Sequence, residues 1–343
     1  MNRDALHHYL EPLSPWLHDA LVSDVFINKA GLLWVVRDNQ KKEVRVPALS
    51  YHALTGLARL IANDTKQRLS EAEPLLSAVL PEGERIQIVL SPVCVNEGQA
   101  SIAMAIRKKV ARDLSLNELL ARGLCDAVNP FFLPHTKSFL SSDEKVLRDH
   151  FSAGRYLDFL TEAIAQKKNI LISGATGSGK TTLLNACLKE IPLDERIITL
   201  EDVPELVMPH PDKTNLVASK NQQGVANVDM EKLVQVCLRL NPDRIILGEI
   251  RGDEAWDFMQ AASTGHEGTL ASIHAGNPHL AFIRLANMVQ GNPKVSLSRE
   301  HILNDLTSLI DVVVQMKAVR QGDGWYRRIT DIYSAFNPGE RSC

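Results

Sequence analysis

Residues 169–181 read NILISGATGSGKT, and this stretch decides the fold. Its first part, from Asn169 to Ser173, is apolar and predicts a short buried strand, and the run TTLLNACLKE that begins at Thr181 predicts a helix. The segment GATGSGKT between them has the spacing of a phosphate-binding loop, whose glycines let backbone N–H groups turn toward a bound anion. A strand, this loop and a helix in that order predict a nucleoside triphosphate site.

The residues of the loop have expected roles toward the nucleotide. Lys180 is expected to reach the β and γ phosphates. The hydroxyl of Thr181 is expected to bind Mg²⁺, which neutralises charge as the bond to the γ-phosphorus breaks. ATP and Mg²⁺ are therefore the predicted cofactors, and Lys180 is a predicted catalytic residue. The predicted nucleotide-binding residues of the loop are Gly174, Ala175, Thr176, Gly177, Ser178, Gly179, Lys180, Thr181 and Thr182.

Strands and helices alternate after the loop. The apolar segments RIITLED (196–202), DRIILGE (243–249) and TLASIHA (269–275) are separated by helical runs. This alternation predicts a parallel sheet covered on both faces. Near the end of the chain, DVVVQMKAV and WYRRITDIYSAF flank QGDG, which predicts a hairpin. The predicted fold class is α/β, with a mainly parallel sheet in residues 154–343.

The chain before residue 154 has a different pattern. Short alternating segments recur from Val25 to Arg107 with one helical run near residues 51–65, which predicts a smaller α+β domain in residues 1–107. Residues 108–153 are predicted to form a helical linker, whose first helix opens with the capping-box pair Ser115 and Glu118. Two compact domains are expected for a chain of 343 residues, because chains longer than roughly 250 to 300 residues usually divide into domains with separate hydrophobic cores.

The composition excludes several classes of protein. Hydrophobic residues are 45% and charged residues 23% of the chain, as in folded globular proteins, and the net charge of -3 provides no overall attraction to nucleic acid. Five cysteines without a CxxC pair indicate neither a disulfide framework nor a zinc knuckle and favour a reducing cytoplasm. No run of 18 apolar residues occurs, so neither a signal peptide nor a membrane span is expected.

A row of leucines near the start of the chain has near-helical spacing. Such a row can lie on a membrane surface, but packing inside its own domain is the favoured interpretation. The row consists of Leu6, Leu10, Leu13, Leu17 and Leu21.

Glu249 follows the predicted strand of residues 245–247 and is expected beside the γ-phosphate. A carboxylate there can orient or deprotonate the attacking water, or it can act on the magnesium side. A solvated glutamate at a strand end remains the alternative. Gly248 stands where many phosphate-loop enzymes carry Asp.

Further carboxylates and two histidines follow other strands. Glu201, Asp202 and Glu205 can converge on one edge, where clustered acids suit a hydrated Mg²⁺, although an exposed acidic turn is the alternative. His266 and His274 flank a short strand, and two histidines alone make a poor zinc site. Each can sense the γ-phosphate by hydrogen bonding or can serve only inside the core.

Arginine positions bear on whether ATP is shared between subunits. A guanidinium supplied by a neighbouring chain can stabilise the charge that develops on the phosphates in the transition state. The candidates are Arg85, Arg107, Arg239 and Arg251. For each one alone, a surface or ion-pair role is favoured over a contact with the phosphates of a neighbouring chain. The basic cluster of Arg107, Lys108, Lys109 and Arg112 can contact nucleic acid, although a solvated face is favoured.

Four segments together resemble the secretion ATPase superfamily. GATGSGKT, ITLEDVPEL, NPDRIILGEIRGDEA and STGHEGTLASIHA occur in the order and at the spacing of its Walker A motif, Asp box, Walker B motif and His box. The short N-terminal domain, the long linker and the lack of a four-cysteine insertion are similar to the type IV secretion traffic ATPases. Type II secretion and pilus-assembly ATPases are the close alternative.

The resemblance implies a RecA-like ATPase domain in residues 154–343 and a hexameric ring with nucleotide between the two domains of each subunit. It also implies docking on the cytoplasmic face of an inner-membrane secretion channel, with channel subunits and other secretion ATPases as partners. ATP hydrolysis would then drive substrate translocation or pilus assembly, as in conjugation. By motif, the implied catalytic residues are Lys180, Glu205, Glu249, His266 and His274, the implied metal ligands are Thr181, Glu201, Asp202, Glu205 and Glu249, and the implied nucleotide-contacting arginines are Arg107 and Arg85.

Two other classes of function share the same ATP site. One is a motor that threads DNA or RNA, which the charge balance disfavours. The other is a structural ring in which ATP only sets the conformation. The sequence leaves open whether DNA, protein or pilus subunits are moved.

Overall fold

The computed structural model describes residues 3–38, 40–108, 114–133, 137, 139–218, 228–263, 265–321 and 324–336. Within these ranges the chain divides into two compact units, the first in residues 3–108 and the second in residues 114–218 and 228–336. None of the helices in these ranges is long and apolar enough to cross a membrane.

The first unit contains a six-stranded antiparallel sheet with the order β3-β2-β1-β6-β5-β4. Its strands are β1 (Val22–Lys29), β2 (Leu32–Arg37), β3 (Gln40–Arg45), β4 (Leu75–Val79), β5 (Arg85–Asn96) and β6 (Gln99–Arg107). Its helices are α1 (Arg3–Leu10), α2 (Ser14–Leu17) and α3 (Tyr51–Asp64). The mixture of helices and antiparallel strands confirms the predicted α+β pattern of this part of the chain.

The leucine row of the first unit lies mostly in its core. Leu6, Leu10, Leu13 and Leu17 are buried among the side chains of α3 and the sheet. Leu21 is exposed. The interpretation of the row as core is therefore confirmed for four of its five residues, because burial of apolar area stabilises the folded unit.

The second unit contains an eight-stranded sheet with the order β10-β9-β11-β12-β8-β13-β14-β7. All neighbouring strands are parallel except β13 and β14, which form the predicted C-terminal hairpin. The strands are β7 (Asn129–Phe131), β8 (Ile170–Gly174), β9 (Ile197–Glu201), β10 (Lys213–Val217), β11 (Arg244–Ile250), β12 (Leu270–Ile273), β13 (Val312–Gln321) and β14 (Gly324–Ser334). The predicted α/β class with a mainly parallel sheet is confirmed.

Helices cover both faces of this sheet, so its central strands are buried throughout. Successive strand residues point to opposite faces, so Leu171 packs in one apolar cluster and Ile170 and Ile172 pack in the other. The helices are α4 (Leu116–Ala121), α5 (Ser142–Ser152), α6 (Tyr156–Ala165), α7 (Lys180–Leu188), α8 (Met230–Cys237), α9 (Glu254–Ser263), α10 (Pro278–Gly291) and α11 (Arg299–Leu309).

The segment predicted as a linker contains helices that pack on the second unit. The predicted capping box of Ser115 and Glu118 opens α4, and Leu147 and Phe151 of α5 join the apolar cluster that contains Phe159 of α6. Strand β7 of this segment pairs with β14. The bounds of the three predicted segments, 1–107, 108–153 and 154–343, stay a prediction.

Candidate nucleotide site

The phosphate-binding loop joins the buried end of β8 to the start of α7. Gly179, the residue before α7, has φ of 98°, a left-handed conformation that L side chains rarely adopt. The side chain of Ser178 is buried, and its Oγ makes no hydrogen bond to any described residue. This orphaned hydroxyl and the N-terminus of α7 fit the phosphate groups of a nucleotide, since both can supply hydrogen-bond donors to an anion.

Lys180 is largely buried and points back onto its own loop. Its Nζ donates to the carbonyl oxygens of Gly174 at 2.9 Å and Ala175 at 3.3 Å. Burial lowers the pKa of Lys180, Glu249 and Glu205 oppose the shift and Arg251 adds to it, and the net pKa is about 8. The carboxylates near Lys180 therefore offset only part of the cost of burying its positive charge. An incoming phosphate would stabilise the charged ammonium form.

Glu249 and His274 connect the ends of β11 and β12 to Lys180. The Nδ1 atom of His274 lies 3.3 Å from Lys180 Nζ, and its Nε2 atom lies 2.6 Å from Oε1 of Glu249. Burial and the charge of Lys180 lower the pKa of His274, so its ring is neutral near pH 7. His274 thus lies between the ammonium group of Lys180 and the carboxylate of Glu249.

Arg251 holds the other side of Glu249. One guanidinium nitrogen donates to Glu249 Oε2, and another donates to Oδ2 of Asp202. Burial raises the pKa of Glu249, but Arg251, His274 and Lys180 together outweigh burial, so the pKa is lowered overall. Glu249 is therefore an ionised carboxylate at neutral pH rather than a proton reservoir.

The three acids of the Asp box have three different surroundings. Glu201 is buried, and its Oε1 accepts the backbone N–H groups of Glu205 at 2.7 Å and Leu206 at 2.9 Å. Glu205 Oε2 accepts from the hydroxyl of Thr181 at 3.3 Å, whereas Asp202 pairs with Arg251. Glu201 thus shapes the loop that carries Glu205 to the start of α7.

A magnesium ion fits the oxygen pair of Thr181 and Glu205 in chemical type, because hydroxyl and carboxylate oxygens are hard ligands. In the described ranges, no three His, Cys, Asp or Glu side chains converge closely enough to hold a metal by themselves. Such a cage is not required, since Mg²⁺ in nucleotide sites takes one or two protein oxygens and completes its shell with phosphates and water.

Gly248 has a steric explanation in the neighbouring strand. A Cβ atom at this position would lie 3.1 Å from Cγ of Glu201 and 3.5 Å from the carbonyl oxygen of Leu200. The space that an Asp side chain occupies in many phosphate-loop enzymes is here next to Glu201 on β9. The departure from the general Walker B pattern therefore follows from the packing of β9 against β11.

Known proteins share both this sequence and this fold. Residues 150–329 match the family described as Type II/IV secretion system protein. The type IV secretion system protein VirB11 of Bartonella quintana is 38% identical over 333 residues, which cover 94% of this chain and 91% of that protein. VirB11 of Brucella suis biovar 1 is 38% identical over 334 residues, which cover 96% of this chain and 90% of that protein.

The chain belongs to the VirB11 family of type IV secretion ATPases. The crystal structure of the VirB11 ATPase from the Brucella suis type IV secretion system in complex with sulphate covers 96% of this chain and 97% of its own, with a TM-score of 0.53. The pilus retraction motor PilT with bound ADP aligns with a TM-score of 0.54 at 18% identity, which shows the fold alone. As a VirB11 family member, the chain is a secretion ATPase that binds nucleotide, as its motifs predicted.

His266, the other histidine of the VirB11-like His box, makes contacts that differ from those of His274. Its Nδ1 is buried without a hydrogen-bond partner in the described part of the chain, and its carbonyl oxygen accepts from Thr269 Oγ1 at 3.0 Å. Among the described residues, a hydrogen bond joins His274 to Lys180 and a 2.6 Å polar contact joins it to Glu249. The catalytic assignment of His266 stays a prediction.

Arg85 and Arg107 lie directly opposite each other on β5 and β6 of the first unit. Arg107 Nε also donates to Asp24 at 2.8 Å on the neighbouring strand β1. Each arginine was predicted as a candidate on its own, and the strand register places the two side by side. Their contact with nucleotide stays a prediction.

The remaining basic residues fall into different surroundings. Lys108 Nζ donates to the carbonyl oxygen of Asp19 at 2.6 Å, Arg239 is exposed after α8, and Lys109 and Arg112 lie outside the described residues. Two residues of the basic cluster, Arg107 and Lys108, are therefore described, and both donate to oxygen atoms of the first unit at the end of β6.

Two arginines that no sequence motif singled out make structural contacts, one beside the loop and one at the end of β11 that is far from Glu249. Arg327 on β14 donates from Nε to the carbonyl oxygen of Gly177 at 3.4 Å, and Arg244 is fully buried at the start of β11. Arg327 is separated from the loop by 150 positions, and no motif surrounds it. Only the register of β13 against β8 and β14 brings it there.

Proposed function

We propose that this chain is a Mg²⁺-dependent ATP hydrolase that assembles into a homohexamer and couples ATP turnover to substrate translocation or pilus assembly by a type IV secretion system. The observation that carries the proposal is the connected set formed by Lys180, His274, Glu249 and Arg251 beside the phosphate-binding loop. These side chains come from the loop and from the ends of β11 and β12, where ligands of parallel sheets bind.

Lys180 acts as the phosphate ligand in this proposal. The N–H groups at the start of α7 hold the phosphate chain while Lys180 Nζ exchanges the carbonyl oxygens of Gly174 and Ala175 for the β and γ phosphates. The same movement competes with the contact of Nζ to His274. His274 therefore responds to the γ-phosphate and passes that change to Glu249 through their 2.6 Å contact.

Glu249 orients the attacking water rather than storing its proton. Its lowered pKa makes it a weak base, because an efficient general base has a pKa near the working pH. An ionised carboxylate still accepts a hydrogen bond from water and directs an oxygen lone pair toward phosphorus. Arg251 keeps Glu249 ionised and in place, since it binds both Glu249 and Asp202.

Thr181 and Glu205 would hold Mg²⁺, with Glu201 fixing the loop that presents Glu205. The ion supplies neutralisation of the phosphate charge when nucleotide is bound. Asp202 and Glu249 would act through their shared pairing with Arg251. From the family resemblance, we also propose that Arg85 and Arg107 contact the nucleotide phosphates.

The cellular role follows from the relatives. Several proteins about 38% identical over nearly the whole chain are named as type IV secretion system VirB11 proteins, which supports this system over type II secretion and pilus retraction. The DotB structure from Legionella pneumophila aligns at 20% identity and supports the fold alone. We therefore propose a protein on the cytoplasmic face of the inner membrane, with channel subunits and other secretion ATPases as partners and DNA or protein as the transported substrate.

The test is Glu249→Gln, measured by phosphate release and by nucleotide binding on the full chain. We expect ATP binding to persist and turnover to fall by about a hundredfold or more, the usual share of a positioned acid or base. Glu300→Gln, at an exposed position in α11, is the matched control and should hydrolyse ATP like the unchanged protein. Normal turnover in Glu249→Gln would show that ATP hydrolysis does not use this site as proposed.

A further inference from the structure

We propose that the outer half of the β13–β14 hairpin is the subsite for the base of the nucleotide, with Trp325 as its stacking platform. This inference rests on the proposed function of the phosphate-binding loop. Trp325 belongs to none of the four motifs, and its side chain is 46% exposed. A large exposed aromatic ring beside a ligand site is a candidate for stacking against a planar base.

The sheet order defines on which side of the loop the base must lie. Strand β8, which leads into the loop, has β12 on one side and β13 on the other. The residues proposed to act on the γ-phosphate, His274 and Glu249, come from the β12 side. A nucleotide whose γ-phosphate points toward β12 extends its sugar and base in the opposite direction, over β13 and β14.

The hairpin projects past the loop at this place. Strand β13 runs parallel to β8, and Met316 is level with Gly174 at the end of β8. Five more residues of β13 follow, from Lys317 to Gln321. At about 3.3 Å per residue, the hairpin extends roughly 16 Å beyond the end of β8.

Arg327 shows which face of the hairpin meets the loop. Its Nε donates to the carbonyl oxygen of Gly177 at 3.4 Å, and a Cβ atom on Gly179 would lie 3.1 Å from its Cγ. Alternate residues of a strand share a face, so Trp325 lies on the same face as Arg327, two residues farther from the sheet. The loop, Arg327 and Trp325 therefore follow one another outward.

This order matches the order of groups in a nucleotide. Arg327 beside the loop provides a guanidinium for the inner phosphate and the ribose, and Trp325 provides a flat ring for the base. Arg320 lies directly opposite Trp325 in the register, so a second guanidinium borders the same surface. Both aromatic rings and guanidinium planes stack on nucleic acid bases.

Tyr326 supplies an internal control on the other face. It is the neighbour of Trp325 and is almost equally exposed, at 43%, but it points away from the loop. Its ring instead lies 5.5 Å from the guanidinium of Arg328, which is paired with Asp126. Tyr326 is therefore an aromatic residue on the same strand with similar exposure but without the proposed contact.

The experiment compares the affinities of ATP and inorganic tripolyphosphate for the full chain by titration calorimetry with Mg²⁺. Trp325→Ala should weaken ATP binding by about 5-fold to 150-fold, the loss typical of one base–aromatic stack, and should leave tripolyphosphate binding unchanged. Trp325→Phe should retain most of the ATP affinity, because it keeps an aromatic ring. Tyr326→Ala should change neither affinity.

The outcomes separate this inference from the proposed function. Equal ATP affinity in Trp325→Ala and the unchanged protein, or an equal loss for ATP and tripolyphosphate, would overturn the base subsite. Lys180→Ala should weaken both ligands, because it removes a phosphate contact. If Lys180→Ala weakens neither ligand, the phosphate site itself is misplaced.

Discussion

At the scale of single residues, Lys180 is the most informative group. It is held by two carbonyl oxygens of its own loop, and burial lowers its pKa to about 8. The phosphate groups of ATP would raise this pKa, because a nearby negative charge favours the charged ammonium. Nucleotide binding near pH 8 must therefore be coupled to proton uptake by Lys180.

We predict that ATP binding at pH 8 takes up about half a proton per chain, since a group with a pKa of about 8 is half protonated there. The affinity should fall as the pH rises above that value, because the free lysine loses its charge before it can meet the phosphate. Titration calorimetry in two buffers of different ionisation enthalpy measures the uptake. Lys232→Met, at an exposed position in α8, should leave it unchanged. No uptake at pH 8 would contradict the proposed role of Lys180.

Gly248 supplies a second prediction at this scale. Gly248→Ala places a methyl group 3.1 Å from Cγ of Glu201 and should lower the free energy of unfolding by about 1–3 kcal/mol, as overpacking does. It should also slow hydrolysis, since Glu201 fixes the backbone of Glu205. Urea unfolding and phosphate release measure the two effects.

The control for Gly248→Ala is Gly291→Ala at the end of α10. A Cβ atom at Gly291 meets nothing within 4 Å, so this variant should not be destabilised. Equal stability of Gly248→Ala and the unchanged protein would show that β9 and β11 are not packed as closely as described.

Some of the residue-level picture could be predicted from sequence and some could not. The motifs predicted Lys180, Glu249 and His274 because local spacing encodes the end of a strand or the start of a helix. Arg251 was predicted only as one of four candidates for a guanidinium that reaches the ATP of a neighbouring chain. In the structure it donates to Glu249 and Asp202. Arg327 was missed, because its contact depends on strand register across a long separation.

At the scale of elements, β11 is anchored by a buried ion pair at its start. Arg244 is fully buried, and its guanidinium binds Glu195 through Nε at 2.7 Å and Nη2 at 2.9 Å. A third nitrogen donates to the carbonyl oxygen of Ile164 at the end of α6. This pair therefore ties β11, α6 and the segment before β9 together, far from the end of β11 that carries Glu249.

We predict that Arg244→Met lowers the free energy of unfolding by about 3–5 kcal/mol, because it leaves Glu195 without its buried partner. The second substitution Glu195→Gln should recover part of the loss, since it removes a carboxylate whose remaining partner is Lys167 at 3.5 Å. Arg148→Ala, whose ion pair is exposed, should change the stability by less than about 0.5 kcal/mol. An unfolding midpoint for Arg244→Met that equals that of Arg148→Ala would contradict this account of the anchor.

The elements themselves followed the sequence patterns where those patterns were strong. The apolar runs of β8, β9, β11 and β12 and the hairpin around residues 321–324 were predicted, because buried parallel strands are continuously apolar. Strands β7 and β10 were missed. Strand β7 has three residues and contains Pro130, and β10 has an alternating exposed edge, so neither shows an apolar run.

At the scale of the whole molecule, each of the two units contains some of the residues that the sequence singled out. The second unit holds the loop and the connected set of Lys180, His274, Glu249 and Arg251. The first unit holds Arg85 and Arg107, placed side by side by the register of β5 and β6. Composition and length predicted two domains, but the arrangement of subunits in a ring depends on contacts between chains that one sequence does not encode locally.

The central claim is that ATP is hydrolysed by a ring of six chains, and it is tested most directly by light scattering coupled to phosphate release. The full chain is measured with Mg-ATP over a dilution series. The account predicts a mass six times the 38.0 kDa of the chain and a rate per chain that falls when dilution dissociates the ring. A single-chain mass at micromolar concentration, with a rate per chain that does not depend on dilution, would contradict it.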